Sequence, residues 1–203
     1  MLIVTVAYSQ RLSHKPPAKL AGGKPVSTQL ANFIRFVTEA DAEFIYPAGF
    51  KEISPVNNSD YSFDYAMELP GHDFEIWFRV RSQKRTLADY QRLNIDTAKV
   101  VANTDSLYNI TGLHLLQAFT GGQNFFTTII PTDYLARYNA DEGKTYLLEL
   151  PDTQETKHYK YALLITLHKD HAGTIIAVCF GNEKGAEFFK NISKASKCLK
   201  FKP

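Results

Sequence analysis

Cysteine, charge of one sign and long apolar runs are all scarce in this sequence, and each shortage closes off a class of protein. Two cysteines, Cys179 and Cys198, stand among 203 residues. Neither sits in a CxxC pair and no HExxH occurs, so the spacings that mark zinc sites are missing. The G-x-S-x-G elbow of a nucleophilic serine is absent too. Lys and Arg number 23 against 21 Asp and Glu, a formal net charge of +2, and the basic residues are scattered, which leaves no electrostatic footprint for nucleic acid. The apolar run Leu2–Ala7 is too short to span a bilayer, so no transmembrane segment is expected. No internal repeat is present, no cofactor is implied, and no motif fixes a reaction or a ligand.

What is present is hydrophobic and aromatic: 44% and 13% of the residues, enough for a sizeable core. The clearest pattern runs from Tyr61 to Arg81. Tyr61, Phe63, Tyr65, Met67 and Leu69 alternate with Ser62, Asp64, Ala66 and Glu68; after Pro70–Asp73 the alternation resumes with Phe74, Ile76, Phe78 and Val80 against Glu75, Trp77, Arg79 and Arg81. Period two on both sides of a turn predicts a β-hairpin with one apolar and one polar face. With Leu69 opposite Phe74, the register places Met67 by Ile76, Tyr65 by Phe78 and Phe63 by Val80. The other face then sets Ala66 across from Trp77, Asp64 across from Arg79 and Ser62 across from Arg81. Glu68 opposite Glu75 is the unfavourable pair, expected at the solvated loop end.

Along the rest of the chain, Thr28–Val37 carries the helical stripe Leu30, Phe33, Ile34 and Val37, although Phe33–Val37 also fits a strand. Thr86 is a plausible N-cap for a helix with the stripe Leu87, Tyr90, Leu93, Thr97, Ala98 and Val101, ending before Leu107. Leu113–Thr120 and Phe125–Ile130, joined by Gly121-Gly122, read as a second hairpin. Thr132–Tyr138 reads as a helical turn and Thr145–Leu150 as a strand. Tyr161–Leu167 and Thr174–Phe180 are apolar on both faces, which predicts central strands covered on each side, and Glu183–Ala195 reads as a last helix. The whole predicts an α+β fold: an antiparallel sheet flanked by helices on both faces, an α/β/α sandwich.

At the N-terminus, Ala7-Tyr8-Ser9 before Gln10 places small residues where a signal peptidase cuts, so residues 1–9 are expected to be a signal-peptide remnant and the protein periplasmic or secreted; a buried N-terminal strand is the alternative. Residues 10–27, with Pro16-Pro17 and Gly22-Gly23, read as a linker, and 28–203 as one domain. Cys179 and Cys198 fit a disulfide or two buried thiols. Lys190, Lys194, Lys197, Lys200 and Lys202 accumulate at the tail, where a helix C-terminus favours cations; an anionic partner is the alternative.

The segment Phe44-Ile45-Tyr46-Pro47-Ala48-Gly49-Phe50, with the order of elements up to Phe201, resembles the PsbP-like family, named for an extrinsic subunit of the oxygen-evolving complex. That resemblance implies an antiparallel sheet between helical layers and a mostly non-catalytic role, and it carries no metal or cofactor residues onto this chain. The chain is also similar to exported bacterial proteins with an N-A-D-x-G segment followed by L-H-K, here Asn139–Gly143 and Leu167-His168-Lys169.

The candidate binding residues are Trp77, Arg79, Arg81 and Asp64: an indole beside guanidinium groups makes a stacking and hydrogen-bonding platform for a small polar ligand or a partner protein. A helix covering Trp77, with the arginines merely pairing with Asp64, is the structural alternative. His168 and His171, with His158, are the conceivable metal ligands, and Cys179 with His168 the conceivable thiol dyad; a solvated turn and an apolar strand are the plainer readings. Asn139–Gly143 reads as an Asx-type turn with Gly143 at positive φ. The expected function is an exported, non-catalytic binding or assembly-accessory protein, with a hydrolase or metal-assisted enzyme using the His168/His171 loop as the alternative.

Overall fold

The computed structural model describes residues 26–92 and 104–203. Helix α1 (Thr28–Glu39) starts at Ser27, whose hydroxyl caps the Leu30 N–H at 3.0 Å. Strand β1 (Ala42–Phe44) follows, then β2 (Lys51–Ile53), β3 (Tyr65–Glu68) and β4 (Phe74–Ser82). Helix α2 (Gln83–Arg92) continues directly from β4, so Thr86 lies inside it and not at its cap; the Leu93–Val101 part of the expected stripe falls outside the described residues. Helix α3 (Thr104–Thr120), β5 (Phe125–Ile129), a short helix α4 (Thr132–Leu135) with a 3₁₀ turn at Ala136–Tyr138, β6 (Glu142–Glu149), β7 (Tyr161–Lys169), β8 (Gly173–Gly181), α5 (Ala186–Ala195) and β9 (Leu199–Phe201) complete the chain.

Seven strands form one antiparallel sheet in the order β2-β3-β4-β8-β7-β6-β5, and β1 pairs with β9 in a separate two-stranded ribbon. The fold is thus α+β, an antiparallel sheet with helices on both faces. β7 and β8 are central and almost wholly buried, as their double-sided apolar pattern requires. One face carries α1 and α5: Phe33 is fully buried and stacks on Tyr65 at 4.8 Å, and Phe188 meets Phe74 edge-on at 6.1 Å. The other face carries α3, whose Leu115, Leu116 and Phe119 pack with Trp77, Val178 and Phe180.

α3 corrects the second expected hairpin. Residues 113–120 are helical, and β5 pairs with β6 instead. Tyr108, Leu115, Leu116 and Phe119 are buried at helical spacing, and Gly112, which reads as a breaker, is a contact residue. A Cβ there would stand 3.0 Å from Thr166 Cγ2 and 3.2 Å from the Tyr146 ring, so the missing side chain lets the helix lie close on the sheet. Gly143 is likewise not at positive φ; it sits in β6, where a Cβ would come within 2.9 Å of the Thr166 carbonyl and of Ile130. The positive φ of the turn belongs to Asn139, at 50°.

The first hairpin keeps the expected register over Tyr65–Phe78, Ala66–Trp77, Met67–Ile76 and Glu68–Glu75. It ends earlier than the alternation. The Asn57 side chain takes both backbone groups of Phe63, accepting from its N–H at 2.7 Å and donating to its carbonyl at 3.1 Å. Phe63 and Tyr61 therefore leave the ladder and enter the core of the opposite face, against Phe119 and Trp77.

Candidate functional site

The four residues singled out in the first hairpin make no open platform: Trp77, Arg79 and Arg81 alternate along β4, and Asp64 lies just before β3. Trp77 has no exposed surface; Phe63 packs on it at 5.5 Å and Phe180 at 4.5 Å, and its indole nitrogen donates to Glu75 at 2.8 Å. An enclosed ring with a satisfied N–H has no face left for stacking, so the platform centred on Trp77 is corrected to a core position. Asp64 pairs with Arg81 and not with Arg79. Its two oxygens take Arg81 Nη1 at 2.9 and 2.7 Å, and one also accepts the Val80 N–H at 2.8 Å. That is the structural role of closing the end of β4. Arg79 is different: its Nε is buried without a hydrogen-bond partner, and burial, then the neighbouring Arg81 charge, pulls its pKa below the ordinary value.

The conceivable catalytic groups are kept apart. Cys179 points into the core beneath α1 and α5, whereas His168 lies on the α3 face, stacked against Tyr108 at 5.6 Å with its Nε2 3.2 Å from Asp170 Oδ1. The sheet separates them, and burial pushes the Cys179 thiol well up. Both cysteines are free and buried. His171 is exposed in the turn and His158 pairs with Asp152, and among the described residues no group of three or more His, Cys, Asp or Glu side chains is placed to hold a metal ion. No described helix is long and apolar enough to cross a membrane. The Asn139–Gly143 turn is structural. Asn139 Nδ2 donates to the Phe201 carbonyl at 2.8 Å, and Asp141 Oδ2 accepts the Asp170 N–H at 2.8 Å.

The concavity with the strongest claim lies elsewhere. α1 and α5 pack over β3, β4 and β8, so the same face of β6 and β7 is less covered, and Leu147 and Leu163, cross-strand partners, are only partly buried. Over these strands runs a groove of about 590 Å³. Thr145, Leu163 and Ile165 make its floor. Ile192, Ser193 and Ser196 of α5, with Ile45, Lys197 and Lys200, form one wall; Ile130, Tyr134, Arg137 and Tyr138 form the other.

The groove joins an apolar floor to a cationic rim. Ile45 is 63% exposed and Tyr134 49%, so apolar surface reaches both lips. The Arg137 guanidinium lies 4.3 Å over the Tyr134 ring. Lys200 is paired with Glu43 at 3.2 Å; Arg137 and Lys197 have no carboxylate partner among the described residues. Tyr138 backs the wall, and burial raises its hydroxyl pKa, which keeps it a neutral donor. The accumulation of lysines at the tail was the one sequence signal pointing here. The remaining lining comes from segments whose proximity no local pattern announces.

Comparison with known proteins finds no family model that matches the chain, no match among curated proteins and no match among solved structures.

Proposed function

We propose that this chain is a non-catalytic binding or accessory protein and that its ligand lies in the groove over β6 and β7. The observation that carries the reading is the less covered half of one sheet face: an apolar floor walled by α5 and the Thr132–Tyr138 segment, with cations on its rim. A volume of about 590 Å³ is in the range of small-molecule sites. The alternative of a hydrolase or metal-assisted enzyme using the His168/His171 loop is not the reading this groove supports, since neither histidine lines it. Export to the periplasm or medium is part of the proposal and rests on the Leu2–Ser9 segment, as the PsbP-like likeness rests on Phe44–Phe50.

The test is co-purification. Protein isolated from its native source is denatured, and the released small molecules are measured by mass spectrometry for the native chain and for Ser193→Trp, which fills the groove from the exposed side of α5. The native chain should release a species that the variant lacks or holds at a much lower level. Identical extracts from two equally folded proteins refute the groove as the binding site.

A further inference from the structure

We propose that the groove takes a single-chain carboxylate, with its hydrocarbon chain along Leu163 and Ile165 and its head group against Arg137 and Lys197. The inference rests on the binding reading above and names the ligand class of that site.

Charge selects the head group. No Asp or Glu lines the groove among the described residues, while three cations do. Lys184, Lys202 and Lys51 are neutralised in place, by Glu149 at 2.7 Å, Asp41 at 3.3 Å and Glu68 at 3.5 Å. On the rim Lys200 is paired in the same way with Glu43, whereas Arg137 and Lys197 face a groove with no carboxylate in its lining. Two cations without a counter-charge above an apolar floor attract an anion and reject a cation. Stacking on Tyr134 restrains the Arg137 guanidinium, which leaves its planar fork pre-set for a carboxylate.

Shape selects the tail. The floor is two aliphatic side chains and a threonine, which offer a chain dispersion and burial but few hydrogen bonds. Ser193 and Ser196 already donate to the Phe189 and Ser193 carbonyls at 2.9 and 3.3 Å, so the α5 wall spends its hydroxyl protons internally. A groove of about 590 Å³ has room for one extended chain.

The experiment is calorimetric titration of the full chain with decanoate, decyltrimethylammonium and neutral decyl glucoside, each below its micelle concentration, and with an acidic peptide. Decanoate should bind at one saturable site about tenfold tighter than the cationic probe. Arg137→Glu with Lys197→Glu should weaken decanoate about tenfold and leave the glucoside unchanged; Lys190→Glu, outside the groove, should change neither. Equal affinity for the three amphiphiles, or decanoate binding indifferent to the rim variant, overturns the carboxylate and leaves the groove reading standing. Tighter binding of the acidic peptide transfers the site to a protein partner and also overturns it. Absence of binding by every probe overturns the carboxylate, and the Ser193→Trp comparison then decides the groove reading separately.

Discussion

The indole nitrogen of Trp77 and the carboxylate of Glu75 stand 2.8 Å apart, two residues along one strand and on the same face of the sheet. Lys157 closes the arrangement, with Nζ 2.9 and 3.1 Å from the two Glu75 oxygens and 5.6 Å above the indole ring. Glu75 therefore faces Glu68 without repulsion at the end of the hairpin, because Lys157 neutralises one and Lys51 the other.

The two ends of the Glu75–Lys157 pair differ in access to water: the side chains are 9% and 33% exposed. Removing the lysine leaves a buried carboxylate without its counter-charge, a loss on the order of 3 kcal/mol. Glu75→Gln keeps an acceptor for Trp77 and frees Lys157 to turn to water, so it costs about 1 kcal/mol. Urea denaturation should rank Lys157→Met as the more damaging change, with the double variant less damaged than Lys157→Met alone. The reverse ranking removes this account.

Gly112 offers a test of helix against packing. Gly→Ala in a helix interior ordinarily gains up to about 1 kcal/mol. Here the new methyl would meet Thr166 Cγ2 at 3.0 Å and Tyr146 at 3.2 Å. Overpacking costs roughly 1–3 kcal/mol, so the sign reverses. Gly112→Ala should lower the Tm by several degrees, and Thr166→Ser, which removes Cγ2, should restore part of the loss. A Gly112→Ala protein with a raised Tm contradicts the close approach of α3.

Alkaline pH should unfold the protein through buried neutral acids. Burial pushes the Cys198 thiol from 9.0 up to about 12 and, with Glu155 nearby, the Tyr61 hydroxyl from 10.0 up to about 12. Both are raised in the folded state, so the native chain keeps protons that the unfolded chain releases. Their contribution is whole below about pH 9 and is lost as pH climbs towards about 12. The urea midpoint should fall between pH 8 and about 10.5, and less steeply for Cys198→Ala. A midpoint constant over that range overturns the assignment.

Much of the fold is legible in local pattern. The Tyr65–Phe78 register, the buried strands β7 and β8, and the stripe Leu30, Phe33 and Val37 follow from period two and period 3.6, whereas Ile34, expected in the same stripe, is exposed. α3 is the instructive failure. Leu113–Phe119 is a short apolar run that periodicity alone does not assign, and Gly112 and the Gly121-Gly122 pair resemble the punctuation of a hairpin. The groove was less legible still: Ile45, Arg137, Leu163 and Lys197 are far apart in sequence, and only the tail lysines hinted at it.

Taken alone, the sequence determined which side of β4 a residue occupies, because side chains alternate along a strand whatever it packs against. It separated Trp77, Arg79 and Arg81 from Ile76, Phe78 and Val80 without fault. What covers each side was decided only in three dimensions. α3 makes the Trp77 face a second core, and the reach of α1 and α5 leaves β6 and β7 less covered on the first. Coverage depends on long-range placement of whole helices, and no period within a strand encodes it.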